Sequence, residues 1–351
     1  MSLPQTLLQR FSHTIGFQHS YNFLLFFIFA GALLGFSLAR TPYLNVNGTF
    51  LSSAAPGEAY WYRQEYYNIG IHIHLISIIS AGLLAVVQFV PVVRHKLPLF
   101  HRINGYVVVL LLLTGNVGAV MIARRAFGGT LSTQAGVGVL AIGTTGSAIL
   151  AYIDIKRLRI DRHRAWMLRC WFYAGSIITL RIIMIIAVVT IGQIGSYYIA
   201  MPCRQIAGSG GNVEMYAACR EDVDGYAAVH ANFLNPMGKE EVAAPFESSF
   251  GMALWLALML HAVGVEVYLQ LTMAETDRLR QVSFERQIER GMRPAESASD
   301  KLEDRTASAF DHGNRVTSAH VVPGKATETE STLHSDSASE VSKPAKALGW
   351  N

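Results

Sequence analysis

The stretch INGYVVVLLLLTGNVGAVMIA, residues 103–123, decides the fold because it contains no Asp, Glu, Lys or Arg. A soluble core helix rarely has a charge-free apolar run beyond about 14 residues, whereas a helix that crosses a bilayer needs about 20. Four more charge-free runs occur, at 11–39, 66–93, 126–153 and 248–265. A sixth apolar segment, at about 166–192, is interrupted only by Arg169 and Arg181.

The composition of the chain agrees with a membrane protein. Hydrophobic residues make up 51% and charged residues 15%, against about 25% charged residues in soluble domains. Backbone groups in hydrocarbon must be hydrogen-bonded within their own segment, which favours helices, and no run alternates as barrel strands do. We predict an all-α polytopic membrane helix bundle with spans at about 21–39, 69–93, 103–123, 134–155, 166–192 and 248–272.

The composition changes after the sixth span. From Ala295 onward, Ser, Thr, Glu, Asp, Lys and Pro dominate, which is typical of disorder. The charged stretch before it, up to about Arg293, is compatible with a further cytoplasmic helix. We therefore divide the chain into a transmembrane helical domain, 1–274, and a largely disordered cytoplasmic tail, 275–351.

The distribution of positive charge predicts the orientation. The loops at 94–102 and 156–164 carry eight Lys or Arg residues, and the opposite short loops carry fewer. The positive-inside bias places both basic loops in the cytoplasm and, with six spans, both termini as well. We expect the protein in the endoplasmic reticulum or another endomembrane.

Two further features agree with this orientation. Asn47 begins a glycosylation sequon in a loop assigned to the outer or lumenal side. Cys203 and Cys219 fall in the long loop on that same oxidising side, where a disulfide can persist.

The two basic loops also align at an offset of 62 residues, so that His101-Arg102 matches His163-Arg164. This offset is compatible with a duplicated hairpin, or with basic residues collecting independently in two cytoplasmic loops.

Arg181 is the most informative single residue. It follows Arg169 by 12 residues, about 18 Å along a helix, and so lies near the middle of the membrane. A charge there faces a polar interior or a water-filled cavity, or clamps helices through backbone carbonyls. His72, Asn116 and His261 are compatible with the same outward-opening polar cavity, or with ordinary hydrogen bonds between helices.

The carboxylates near the outer mouth are Glu65 and Glu247, whereas Asp154 and Glu266 lie at the inner edge. Each of these could simply mark a helix end, but a carboxyl buried beside aromatic rings is more easily kept protonated as an acid. The outer loop supplies such rings, which form either an interfacial belt or a lining that stabilises a cation: Tyr60, Trp61, Tyr62, Tyr66 and Tyr67. The chain contains no Walker loop, no His-Glu-x-x-His and no Gly-x-Gly-x-x-Gly following a strand, so we predict no metal site.

Three motifs resemble a large family of bacterial and fungal membrane proteins known as a domain of unknown function. They are His72 with Gly82, HRING at 101–105 and HRAWMLR at 163–169, and the resemblance covers roughly residues 65–190. Fungal members include membrane-bound terpene cyclases of meroterpenoid pathways of the ascochlorin and macrophorin type. The resemblance implies closure of the farnesyl chain of a lipophilic prenylated phenol or quinone by protonation of a terminal alkene or epoxide, without a metal or other cofactor.

A membrane-bound terpene cyclase, a metal-independent isomerase or lyase of secondary metabolism, is therefore the function that we expect, with membrane lipids around it and no nucleic acid partner. Glu65 or Glu247 would be the acid, and Arg181 and His261 would orient or tune it. The substrate would contact His72, Asn116, Tyr62 and Tyr66.

Two other functions stay open from the sequence: a haem-binding electron-transfer protein, and a non-catalytic transporter or scaffold. Against haem, His72 or His74 differs in depth from His261 by roughly 10 to 15 Å.

The predicted orientation has a direct test. Single cysteines introduced into the 195–246 segment should react with an impermeant maleimide added from the lumenal or outer side of sealed vesicles, and cysteines in the 94–102 loop should not. Labelling of 195–246 from the cytosolic side only would contradict the orientation.

Overall fold

The computed structural model describes residues 20–292, and the regions before and after lie outside this description. Six helices of the described chain are long and apolar enough to cross a membrane. The predicted all-α polytopic helix bundle is therefore confirmed. The six helices are α1 (Ser20–Arg40), α4 (Glu65–Gln88), α6 (Pro98–Ile122), α7 (Leu131–Lys156), α8 (Ile160–Ile194) and α11 (Lys239–Leu271).

Shorter elements connect these helices. The helical ones are α2 (Leu51–Ser53), α3 (Glu58–Tyr62), α5 (Pro91–Lys96), α9 (Cys203–Gly208), α10 (Ala217–Glu221) and α12 (Met273–Glu289). Tight helical turns lie at Thr41–Leu44, Val46–Phe50, Ala126–Gly129 and Val213–Met215. Strands β1 (Tyr198–Pro202) and β2 (Tyr226–His230) pair antiparallel, with Ala200 opposite Ala228.

The second span ends earlier than the sequence predicts. We expected it to reach residue 93, but α4 stops at Gln88 and α5 begins at Pro91. The proline disfavours helical geometry at the residue before it, and Val90 is extended, with φ −78° and ψ 115°. The apolar run therefore continues in the sequence while the helix ends.

The last spanning helix starts nine residues earlier than predicted, at Lys239 instead of residue 248. We predicted a loop for its first two turns, which contain Glu240, Glu241 and Pro245. Both carboxylates are buried in the structure and accept hydrogen bonds from loop groups, Glu240 from the amide of Asn212 and Glu241 from the amide of Met237. Pro245 cannot bond the carbonyl of Glu241, and the amide of Asn232 donates to that carbonyl instead, at 3.1 Å.

The bundle is held by close helix contacts at small residues. Where α4 crosses α6, a Cβ added to Gly118 would lie 2.5 Å from the backbone nitrogen of His74 and 2.7 Å from the carbonyl oxygen of Gly70. Small residues let helix backbones approach in this way within membranes. The core between α4, α6, α7 and α8 contains Ala81, Ala85, Val108, Leu112, Ala148, Cys170 and Trp171.

The outside of the spanning helices is apolar. Leu110, Ile142 and Ile186 are 65%, 75% and 61% exposed, and many neighbours on the same helices are similar. An apolar surface of this extent would not remain in water, and hydrocarbon is its natural surrounding.

The two ends of the bundle differ in character. One end, the disulfide end, comprises residues 41–64, 123–130 and 195–238, and there Cys203 and Cys219 form a disulfide. The paired strands β1 and β2, α9 and the start of α11 enclose a small apolar core around that bond. The other end, the basic end, comprises α5, residues 157–159 and α12.

The amphipathic helix α12 packs against the basic end. The side-chain amide of Gln287 donates to the carbonyl of Arg157 at 2.9 Å. The Ser283 hydroxyl accepts from the amide of Ile160 at 2.8 Å and donates to the carboxylate of Asp161 at 2.8 Å. The remainder of the predicted tail, including its proposed disorder, lies outside the described residues.

We expect Gly118→Ala to lower the melting temperature of the purified protein by several degrees, because its methyl group would meet the backbone of α4. Overpacking of this kind costs about 1–3 kcal/mol. Gly146→Ala is the matched control: it lies mid-helix in α7 with nothing within 4 Å of an added Cβ, and should leave stability unchanged or slightly raised. Equal effects of the two substitutions would contradict the close contact.

Candidate active site

A buried carboxyl group at the disulfide end is the centre of the candidate site. Glu58 opens α3 and is 3% exposed. Its Oε1 accepts a hydrogen bond from the backbone N–H of Phe127 at 2.8 Å, and its Oε2 lies 2.9 Å from the hydroxyl of Tyr62. The first bond links the 41–64 segment to the turn before α7, and the second lies within α3.

A second buried carboxyl belongs to the same region. Glu247, in the third turn of α11, is 4% exposed, and its Oε1 accepts from the side-chain amide of Gln205 at 2.6 Å. The carbonyl oxygen of that amide accepts from the indole N–H of Trp61 at 3.0 Å. Gln205 therefore connects Glu247 on α11 to α3, the short helix that carries Glu58. It is positioned by α9, whose first residue is the disulfide-bonded Cys203.

Two glycines let the backbone approach these groups. Gly57 has φ +90° and Gly128 has φ +78°, a region that favours glycine. A Cβ at Gly57 would lie 2.6 Å from Nε2 of Gln205, and one at Gly128 would lie 2.9 Å from Oε2 of Glu247. The turn at Ala126–Gly129 thus contacts both carboxyls, Glu58 through the amide of Phe127 and Glu247 through Gly128.

Arg181 approaches this turn from the middle of α8. Its guanidinium carbon lies 5.0 Å from the ring centroid of Phe127 and 5.8 Å from that of Phe250. These two rings stack 4.5 Å apart with 8° between their planes. Phe127 has φ +46°, an uncommon conformation for a residue with a side chain. The Nε of Arg181 is buried without a hydrogen-bond partner among the described residues.

The environment favours the neutral form of Glu58. Burial raises the pKa of Glu58 from 4.5 to about 8, and the nearby charge of Glu247 adds to the increase. The hydrogen bonds from Tyr62 and Phe127 and the charge of Arg181 act in the opposite direction. Burial, followed by the charge of Glu58, also raises the pKa of Tyr62 well above its usual value. At neutral pH this site therefore holds a protonated carboxylic acid beside a neutral phenol.

The proton of that acid has a defined position. A backbone N–H can only donate, so Oε1 of Glu58 is fixed as an acceptor by Phe127. The carboxyl proton of neutral Glu58 is then assigned to Oε2; the Tyr62 hydroxyl accepts from it in that state and donates to Oε2 when the carboxyl is ionised. The arrangement can deliver a proton from Oε2 to a group beside it, while the hydrogen bonds and Arg181 stabilise the carboxylate that remains.

The structure brings together three of the residues selected from the sequence, Glu247, Arg181 and Tyr62. Glu65 and Tyr66 instead lie exposed in the first turn of α4. Their proposed roles stay predictions, but neither touches the buried carboxyl pair.

The other three polar residues bond to separate partners. His72 contacts the carbonyl of Asn68 in its own helix, at 2.8 Å. Asn116 donates to the hydroxyls of Thr144 and Thr145 on α7, at 2.9 and 3.0 Å. His261 uses both ring nitrogens to join α11 to α8, through the carbonyl of Phe172 and the hydroxyl of Thr179. The structure does not bring His72, Asn116 and His261 together with Arg181.

The remaining candidates have local roles. Asp154 pairs with Arg159 and Arg162 at 3.7 and 3.4 Å, and Glu266 forms two bonds to Arg169, at 2.6 and 2.9 Å. Asn47 is exposed at the disulfide end, with its side-chain oxygen 3.2 Å from the amide of Asn68. Glycosylation of Asn47 stays a prediction.

Sequence reasoning missed Glu58, Gln205 and the Phe127–Phe250 pair. Glu58 lies outside the spans, and we had selected carboxyls by their distance from span ends. A usable signal was present: Gly57 before Glu58 permits a sharp turn, and Tyr60, Trp61 and Tyr62 follow immediately. Gln205 and the ring pair carry no such local signal, because their partners lie 42 or more residues away in the sequence.

The raised pKa predicts a pH dependence of stability. Between pH 4.5 and about 8 the folded protein keeps the Glu58 proton and the unfolded chain loses it, so the free energy of unfolding falls as pH rises, by at most about 5 kcal/mol. We expect the melting temperature of Glu58→Gln to fall less steeply over pH 5–8 than that of the parent protein. Glu221→Gln, an exposed carboxyl at the same end, should keep the parent profile; matching profiles for all three would exclude a neutral buried Glu58.

Comparisons with known proteins agree with a membrane bundle. Residues 70–203 match a family described as predicted membrane protein (DUF2306), a range that includes Phe127 and Arg181 but neither buried carboxyl. No solved structure matches the chain. Ava biosynthesis cluster protein G of Aspergillus versicolor is 25% identical over 324 residues, which cover 77% of this chain and 94% of the relative. The chain is thus similar to predicted membrane proteins through its central spans and, over most of its length, to a protein of a fungal biosynthesis cluster.

Proposed function

We propose that the protein is a membrane-bound terpene cyclase that closes the farnesyl chain of a meroterpenoid by protonating its terminal alkene or epoxide. The single observation that carries the proposal is the buried Glu58 carboxyl, whose pKa is raised to about 8 by burial and by the charge of a second buried carboxyl, Glu247. We assign the acid to Glu58, in place of Glu65, and retain Glu247 as its partner.

The first step is a proton transfer. The π electrons of the terminal alkene form a C–H bond with the proton on Oε2 of Glu58, and the O–H bond of the carboxyl breaks. This leaves a carbocation at the adjacent carbon. For an epoxide, the proton forms an O–H bond while the C–O bond breaks. In both cases Glu58 becomes a carboxylate, and the next alkene of the chain attacks the cation to close a ring.

The groups around Glu58 favour this step because they favour its ionised form. The Tyr62 hydroxyl, the Phe127 amide and the charge of Arg181 all lower the pKa of Glu58, so they stabilise the carboxylate as the proton leaves. They are in place before the reaction, so little reorganisation is needed. Burial, which raises the pKa more strongly, keeps the proton on Glu58 until then.

The aromatic rings and Glu247 suit the later steps. The rings of Trp61, Tyr62, Phe127 and Phe250 attract cations through their π electrons. Guanidinium groups already lie over two of them, Arg125 at 3.7 Å from the centroid of Trp61 and Arg181 at 5.0 Å from that of Phe127. A carboxylate at Glu247 or Glu58 can accept the proton that the final cation loses, so the product is an isomer of the substrate. Proton gain and loss balance, and no metal or other cofactor is consumed.

The lipophilic substrate and the biosynthetic context support the same proposal. A farnesylated phenol or quinone partitions into the bilayer, and a helix bundle in the membrane can receive it without passage through water. The Ava biosynthesis cluster protein G relative suggests that this chain also serves a biosynthetic pathway. Exclusion of water by the buried disulfide end would protect the cation from hydration.

A carrier of the same substrate is the second candidate, because the unpartnered Nε of Arg181 suits binding of a polar head group without chemistry. The two functions differ in what happens to the substrate. A carrier returns it unchanged, whereas a cyclase returns an isomer of equal mass with a different retention time.

Microsomes containing the full-length protein should convert a farnesylated phenol or its terminal epoxide into a cyclised isomer, measured by liquid chromatography and mass spectrometry. We expect Glu58→Gln to lower turnover by about 10²–10⁴, the usual contribution of a general acid. Glu221→Gln is the matched control and should retain parent turnover. Turnover should also fall as pH rises through about 8, where Glu58 loses its proton.

The same experiment compares the candidate acids. Glu65→Gln with normal turnover beside an inactive Glu58→Gln would assign the acid to Glu58. The reverse result would return the role to Glu65, and full turnover in Glu58→Gln and Glu247→Gln would exclude the buried pair. Binding without any new product would favour the carrier.

A further inference from the structure

The basic end contains a cluster of positive groups from several elements. Arg94 comes from α5, His101 from α6, and His163 and Arg164 from α8. The charge of Arg94 acts on both histidine rings, and the two rings act on each other. Both histidines thus lie close to Arg94, although the two basic loops are 62 residues apart in the sequence.

The carboxylates nearby already have cationic partners. Glu275 forms two bonds of 2.8 Å to Arg278, and Asp154 pairs with Arg159 and Arg162. The charge of Glu275 also acts on Arg94 and Arg164, so this one carboxylate serves three guanidinium groups. Asp161 accepts a hydrogen bond from Ser283 and forms no ion pair with Arg94 or Arg164. Positive charge therefore remains in excess around Arg94 and Arg164.

Arg164 illustrates the surplus. Its guanidinium donates to the hydroxyls of Thr272 at 3.0 Å and Thr276 at 3.4 Å, and it lies 5.9 Å from the ring of Tyr268. All three partners are neutral. The guanidinium is thereby positioned, while it forms no direct ion pair within the described residues and shares the charge of Glu275 with Arg94 and Arg278.

The guanidinium of Arg94 forms no hydrogen bond or ion pair within the described residues. Desolvation of its guanidinium lowers the pKa of Arg94; Glu275 opposes this, and the charges of Arg278 and Arg164 lower it further. The side chain is nevertheless exposed along its length, so a ligand can reach it. An anion at this position would relieve the repulsion among the three guanidinium groups.

His101 supplies an independent sign of a missing partner. Its Nδ1 is buried and has no hydrogen-bond partner among the described residues, whereas Nδ1 of His163 is bonded to the carbonyl of Ala151 at 2.9 Å. Buried polar atoms are normally paired. An external acceptor would satisfy this nitrogen once the His101 ring turns it toward the surface.

We propose that Arg94, His101, His163 and Arg164 form a binding site for a phosphate group at the basic end of the bundle. A phosphate monoester carries a charge of about −1.5 to −2 and three acceptor oxygens, which matches two guanidinium groups that form no direct ion pair and ring nitrogens that can donate. The site is remote from Glu58, which belongs to the opposite end, and it does not depend on the proposed cyclase activity. The phosphate group can belong to a lipid head group or to a free phosphate.

The test uses native mass spectrometry of the full-length protein in detergent with dioleoyl phosphatidic acid added, and dioleoyl phosphatidylcholine as the reference lipid. We expect preferential retention of phosphatidic acid and a loss of about tenfold in Arg94→Gln and in Arg164→Gln, since each removes a charge-assisted contact. Arg102→Gln removes the same charge from an exposed residue at the same end and should change retention less than about twofold.

Inorganic phosphate provides the second arm. If it displaces phosphatidic acid, the phosphate group alone is the ligand; if it does not, the ligand is a lipid. Arg164 also bonds to Thr272, so its variant can unfold, but Arg94 has no such partner and Arg94→Lys should restore part of the binding. Equal losses in Arg94→Gln and Arg102→Gln, or no preference of the parent protein for phosphatidic acid, would overturn the proposal.

Discussion

The disulfide end depends on keeping the carboxyl of Glu58 out of water. An isolated carboxyl in such a place is costly unless it is neutral and hydrogen-bonded. The amide of Phe127 and the hydroxyl of Tyr62 supply the bonds, and burial holds the group in its protonated form. The neighbouring elements are arranged around this requirement. Gly57 and Gly128 permit the close turns, and the side-chain amide of Gln205 donates a hydrogen bond to the second carboxyl, Glu247.

The two ends of the bundle handle charge in opposite ways. At the disulfide end two carboxyls are buried near one guanidinium, Arg181, and protonation of Glu58 relieves the excess negative charge. At the basic end one carboxylate, Glu275, serves three guanidinium groups, and positive charge is in excess around Arg94 and Arg164. The first arrangement suits proton transfer, and the second suits binding of an anion.

The fold was predictable because the hydrocarbon requirement acts on whole segments. A run such as 103–123 has no alternative to a spanning helix, and α6 covers nearly the same residues. The misplaced boundaries occurred where local chemistry interrupts that rule. Pro91 ended α4 inside an apolar run, and Glu240 and Glu241 concealed the start of α11 because their partners are loop groups distant in sequence.

The site was less predictable because it depends on tertiary proximity. Depth along a helix was the only guide to which polar residues meet, and it grouped Arg181 with Asn116 and His261. Those two bond to threonines on neighbouring helices. Glu65 and Glu58 are seven residues apart in the same aromatic stretch, and only the turn at Gly57 directs one inward while the other stays exposed.

Infrared spectroscopy of the detergent-purified protein tests the neutral state of Glu58 most directly. At pH 7 the account predicts a carbonyl stretching band of a protonated carboxylic acid that shifts in deuterium oxide, loses intensity as pH rises through about 8, and is weaker in Glu58→Gln than in the parent protein. A parent spectrum at pH 7 with only carboxylate bands, or a protonated band of equal intensity in the parent protein and Glu58→Gln, would contradict it.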